Sequence, residues 1–136
     1  MQHRKRCKRW DVPYGVHCLT FSTYQRRPFL NRDRCRQWVV EGIARARERL
    51  GFHLWAWVIM PEHVHLVVWV REGIGISDIL KSIKSSVARR ALYWAERHAP
   101  DSLRLFEYVN GNGQVEHRFW QAGGGYERLI TEGMVY

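Results

Sequence analysis

The sequence predicts an α+β domain of the ferredoxin-like, split βαβ kind. That is a four- to five-stranded antiparallel sheet with both helices on one face. Three observations lead there. Segments of period two and period 3.6 follow one another as strand, helix, strand, strand, helix, strand. The two middle strands are joined by only Pro61-Glu62, too short for anything but an antiparallel hairpin. A length of 136 residues suits one domain that buries its own core. Residues 1–136 are therefore expected to form a single domain, with a basic arm over residues 1–12.

The first strand is expected from Tyr14 to Tyr24, where aromatic and β-branched residues cluster. Pro28 ends it, because proline cannot donate to a ladder. Asn31 is the expected N-cap of a helix to Leu50, with Val39, Ile43, Ala46 and Leu50 on one stripe and Gly51 closing it. Phe52 to Met60 and His63 to Val70 form the hairpin. Ser77 caps a second helix to His98, which Pro100 stops; Ile79, Leu80, Ile83, Val87 and Trp94 mark its buried side. Residues 101–113 read as irregular, with a turn at Asn110-Gly111-Asn112-Gly113. Val115 to Trp120 is the expected fourth strand, broken by Gly123-Gly124-Gly125, and Tyr126 to Tyr136 leaves room for one helical turn.

Charge narrows the partners. A formal net charge of +9 and a pI near 10.0 favour a polyanion, nucleic acid first. Arg4-Lys5-Arg6-Cys7-Lys8-Arg9 reads as an arm for phosphates or a solvated tail. Cys7, Cys18 and Cys35 show no C-x-x-C spacing, which fits a reducing cytoplasm better than a disulfide framework or a zinc knuckle. No apolar run nears the ~20 residues that span a bilayer, so no membrane partner is expected.

Two features carry chemistry. In an extended strand His63 and His65 point to the same face, about 7 Å apart along the chain, where they could grip one divalent cation. Neutral imidazoles suit Mn²⁺ or Zn²⁺ and, with oxygen ligands, Mg²⁺; a pair leaves coordination positions open for substrate. The spacing alone is weak, because such pairs also arise by chance. The second helix carries Lys81, Lys84, Arg89 and Arg90 with no acidic residue from Lys81 to Leu92, a face able to follow a nucleic-acid backbone. The tryptophans Trp10, Trp55, Trp57, Trp69, Trp94 and Trp120 could stack on bases, but core or core-edge packing is the better account of most of them.

The run Met60-Pro61-Glu62-His63-Val64-His65-Leu66-Val67-Val68 closely resembles the signature of the HUH-type single-tyrosine transposases, which include the REP-associated tyrosine transposases. Leu19 to Arg27 resembles that family's first strand and its exit, and Lys81-Ser82-Ile83-Lys84 the start of its basic helix. Arg118-Phe119-Trp120-Gln121 and Gly125-Tyr126-Glu127-Arg128 are similar to its aromatic strand and the segment after it. The resemblance implies cleavage and joining of single-stranded DNA beside a hairpin. It also implies Mg²⁺ or Mn²⁺ on His63 and His65, a tyrosine that takes a 5′ phosphate, and a homodimer. The family's nucleophile lies on a helix several turns past the Gly125–Arg128 equivalent. The sequence ends at Tyr136, so that helix is expected to be missing, and Tyr136 stands as the candidate on the correct side. Two other classes remain: a hairpin or single-strand DNA-binding module without catalysis, and a metal-free RNA-binding domain. The second lacks the R/K-G-F-G-F-V-like strand it would need.

Overall fold

In the computed structural model, residues 15–123 and the backbone of Gly125–Ile130 are described. Eight elements run in the order β1 (Gly15–Ser22), α1 (Asp33–Leu50), β2 (His53–Ile59), β3 (His63–Val70), α2 (Ile76–His98), β4 (Glu107–Val109), β5 (Val115–His117) and β6 (Gly125–Ile130). The main sheet has the order β2-β3-β1-β6, with every pairing antiparallel. That is the split βαβ arrangement, and β3 is central in it.

Alternation builds the layers. Along β3 every second residue is fully buried (Val64, Leu66, Val68, Val70), and β1 does the same with His17, Leu19 and Phe21. These side chains share one core with Val39, Ile43 and Ala46 of α1 and Ile79, Ile83 and Val87 of α2. The helices thus cover one face of the sheet, and His63 and His65 lie on the other. Where α1 crosses α2, a Cβ on Gly42 would sit 3.4 Å from Val87 Cγ2, an ordinary packing contact, while a longer side chain would meet Val87 and the Ile83 carbonyl. Gly51 ends α1 in the left-handed region at φ +75°, with its N–H bonded to the Arg47 carbonyl.

Several expected boundaries shift. The cap position of α1 is Arg32, not Asn31, and α2 begins one residue before Ser77, with Gly75 at its cap; neither cap makes a side-chain bond. Residues 100–106 form a 3₁₀ turn and Glu107–Val109 a strand, where the sequence read as irregular. The expected fourth strand is also displaced. Val115–His117 pairs with Glu107–Val109 in a separate two-stranded ribbon, closed by the Asn110–Gly113 turn; Trp120 contributes one bridge to Thr23. The fourth strand of the main sheet is β6, where a helical turn was expected. The tryptophans divide: Trp38 and Trp120 are buried, whereas Trp55 and Trp57 are 60% and 49% exposed on edge strand β2. Residues 1–14, with the basic arm, Cys7 and Trp10, lie outside the described residues, as do 131–136.

Candidate metal and nucleic-acid site

The β2–β3 turn places the histidines. Met60 N–H donates to the His63 carbonyl at 2.8 Å, closing the hairpin around Pro61-Glu62. The segment after β1 then clamps that turn. Thr23 N–H donates to the Glu62 carbonyl at 2.9 Å, and Leu30 N–H to the Pro61 carbonyl at 2.9 Å. The fully buried Thr23 hydroxyl lies 2.6 Å from the Arg27 carbonyl and 3.1 Å from that of Glu62. Between these anchors the chain turns through two successive left-handed residues, Gln25 (φ +54°) and Arg26 (φ +51°). Such non-glycine conformations are uncommon and persist where surrounding contacts enforce them.

His63 and His65 project from the same side of β3, and their ring centroids are 4.6 Å apart at an interplanar angle of 88°. Each ring is oriented through Nδ1. His63 Nδ1 lies 3.1 Å from a Glu62 carboxylate oxygen, and His65 Nδ1 lies 2.7 Å from the Thr20 hydroxyl. Thr20 is the residue opposite His65 in the β1–β3 register, and Ser22 is opposite His63. Metal-binding histidines are characteristically held in this way: an oxygen takes the hydrogen on one nitrogen and thereby presents the other to the ion. With Nδ1–H donating in both rings, coordination would go through Nε2.

The spacing suits one ion. An imidazole centroid stands roughly 3.2 Å from a metal bound to its Nε2, given a bond near 2.1 Å. Centroids 4.6 Å apart are close enough that both rings would reach one such ion, of a kind that tolerates imidazole and oxygen ligands together. No cluster of three or more His, Cys, Asp or Glu side chains with metal-holding geometry occurs among the described residues. Were the pair to hold a metal, it would be a partial ligand set that leaves positions for water and substrate oxygens. His17, passed over in the sequence reading, is fully buried on the helix side of β1 and so belongs to the core.

Lys81, Lys84, Arg89 and Arg90 of α2 lie in different settings. Lys81 and Arg89 are exposed and line hollows between α1 and α2. Lys84 is half-buried and donates to the Gln121 carbonyl at 3.3 Å, while its own carbonyl accepts from Trp120 Nε1 at 2.9 Å. Arg90 is ion-paired and hydrogen-bonded to Glu41 of α1. That bond, more than any other contact, holds the Glu41 carboxyl below its ordinary pKa. Tyr136 lies outside the described residues. The backbone before it is informative: Gly125 pairs with Thr20 beside the histidine row, whereas Ile130 pairs with Val16 at the other end of β1.

Sequence reasoning missed Thr20 as an orienting group, and nothing short of the strand register would have found it. Glu62 was inside the motif, but its role depends on how the turn folds back onto His63.

The family model described as "Transposase IS200 like" matches residues 14–105. No curated protein matches the chain. Among solved structures, a REP-associated tyrosine transposase bound to a REP hairpin superposes with a TM-score of 0.64 at 19% identity, covering 97% of this chain and 64% of that one. The chain thus spans less than two thirds of that protein's length. A candidate transposase from Deinococcus radiodurans R1 superposes with a TM-score of 0.63 at 19% identity, over 99% of this chain and 90% of that one. At this identity the likeness shows a shared fold.

Proposed function

The chain belongs to the IS200-like transposase family, and on that premise we propose that it is a DNA transposase acting as a single-strand endonuclease and strand transferase. The observation that carries this reading is the His63–His65 pair, two rings on one side of β3 with centroids 4.6 Å apart and an oxygen beside each Nδ1, an arrangement in which both Nε2 atoms would serve one ion. The substrate is single-stranded or hairpin DNA, a reading supported by the REP hairpin bound to the structurally similar REP-associated protein.

His63 and His65 would hold Mg²⁺ or Mn²⁺, which supplies Lewis-acid polarisation of a phosphate oxygen. Glu62 and Thr20, each beside an Nδ1, would hold the two imidazoles in the tautomer that presents Nε2 to the ion. A tyrosine oxygen attacks phosphorus, the bond from phosphorus to the 3′ oxygen breaks, and that oxygen leaves as a 3′-hydroxyl with the proton. The 5′-phosphotyrosine keeps the phosphodiester energy, so the reverse step rejoins strands without a nucleotide cofactor. Tyr136 is the candidate nucleophile in this chain. Ile130, the last paired residue before it, sits four positions along β1 from Thr20, roughly 13 Å from the histidine row. A tyrosine after β6 therefore has to return toward its own histidines or reach those of a second subunit. A homodimer is part of the proposal, supported by edge strand β2, which exposes Trp55, Trp57 and Val58, with Met60 exposed just after it. The expected setting is the cytoplasm, with the protein on DNA.

A second reading is a hairpin or single-strand DNA-binding module without catalysis. It is supported by the fact that, among the described residues, the pair belongs to no group of three or more side chains arranged to hold a metal. One assay decides: labelled single-stranded DNA carrying a hairpin is incubated with protein and Mn²⁺ and run on a denaturing gel. A protein–DNA adduct lost in His63→Ala and in His65→Ala supports the enzyme. DNA binding with neither adduct nor cleavage supports the binding module.

A further inference from the structure

The helix layer carries a second concave surface, on the side of the molecule away from the histidines. Between α1 and α2 lies a hollow of about 240 Å³ with Gly42 in its floor, three arginines around it (Arg45, Arg49, Arg89) and three serines of α2. Gly42, without a side chain, leaves the floor open, and long side chains of both helices line the rest. No acidic side chain lines it. Other arginines of these helices are neutralised, Arg36 by Asp33 and Arg90 by Glu41. Arg49 and Arg89 have no ion pair or hydrogen bond among the described residues, and Arg45 lies only in the field of Glu41. Unpaired guanidinium groups around a cleft with serine hydroxyls match the chemistry of phosphodiester oxygens.

A second observation points to the same ligand. Arg89 also lines an adjoining hollow of about 470 Å³, whose other walls are Trp38, Arg90, Tyr93 and Trp94. Tyr93 is 58% exposed, and Arg97 already lies over its ring, 4.1 Å from the centroid. An aromatic cavity open to solvent beside a phosphate-binding rim is what an unpaired base with its own backbone would occupy.

We infer that the outer α1–α2 groove is a second nucleic-acid seat. It takes the sugar–phosphate backbone of a single-stranded segment on Arg45, Arg49 and Arg89, and stacks one base in the Tyr93–Trp94 hollow. Because the sheet and helix layers separate this groove from His63 and His65, the bound segment is not the strand at the metal pair. The inference rests on the proposed DNA-processing role and adds a flanking segment to its substrate.

The test leaves out the metal. A labelled oligothymidylate of about 15 nucleotides is titrated with full-length protein in EDTA at several salt concentrations. Arg49→Ala with Arg89→Ala should reduce the slope of log affinity against log salt by about 1.4, two lost single-strand phosphate contacts. The double variant Arg47→Ala with Arg104→Ala removes equal charge from exposed positions outside the groove and should change the slope far less. Tyr93→Ala should weaken binding about fivefold or more at unchanged slope. Circular dichroism melting verifies that each variant folds. Equal slope changes in the two double variants would reduce the groove to general positive charge, and unaltered affinity in Tyr93→Ala would remove the base seat; either overturns the inference. Failure of DNA cleavage in the adduct assay bears on the histidine site and leaves this titration's outcome separate.

Discussion

His65 illustrates how a side chain acquires a role from a neighbour distant in sequence. Its Nδ1 is fixed by Thr20, 45 positions earlier in the chain, through a 2.7 Å contact between paired strands. Thr20→Val removes the hydroxyl with little change in shape and should weaken Mn²⁺ binding about tenfold or more, as loss of an outer-shell partner does. Glu62→Gln should act in the same direction through His63, and an unchanged Mn²⁺ isotherm in both variants would count against the orienting role. At this scale the sequence was only half legible. Alternation alone put the two imidazoles on one face, but Thr20 became a partner only through register, and the Glu62 contact through a turn clamped by Thr23 and Leu30. The separation of Arg90 from its neighbours was hidden for the same reason, since Glu41 stands on another helix. Cys35 behaves as a packed thiol: burial, outweighing the nearby arginines, pushes its pKa up.

Between elements, α1 and α2 pack closely at Gly42 and are joined by the Glu41–Arg90 pair. Gly42→Leu would drive a branched side chain toward Val87 and the Ile83 carbonyl and should cost about 1–3 kcal/mol in urea unfolding, as overpacking does. Glu41 has a folded pKa below its ordinary value. The stabilisation it gives is therefore present above the ordinary carboxylate range and lost as pH falls through the lowered value. In Glu41→Gln the acid limb of stability against pH should be shallower, whereas stability at alkaline pH should change by a pH-independent amount. The helices were the most legible elements, because an 18-residue and a 23-residue amphipathic run leave little choice. The strand after α2 was the least. Val115–His117 has the composition of a strand, but its partner, Glu107–Val109, is only one turn away. The place beside β1 goes instead to Gly125–Ile130, hidden behind a triple glycine that reads as a break.

Taken whole, the molecule presents three distinct surfaces: a histidine pair on the sheet, a cationic groove on the helices, and an apolar edge at β2. The last makes a prediction of its own. If β2 is the dimer edge, sedimentation should show a dimer at micromolar concentration, and Trp57→Asp should shift it to monomer; a monomeric wild type would contradict the assignment. The net charge of +9 was enough to anticipate a polyanion, but not that Arg45, Arg49 and Arg89 would gather around a hollow on the helix layer, opposite the histidine pair. That division emerges only when the helices settle on one face of the sheet. The most direct test of the central claim is an electron paramagnetic resonance titration of the protein with Mn²⁺. The account predicts one bound ion per chain in the wild type, lost in His63→Ala and in His65→Ala; an ion retained with unchanged affinity in both variants would contradict it.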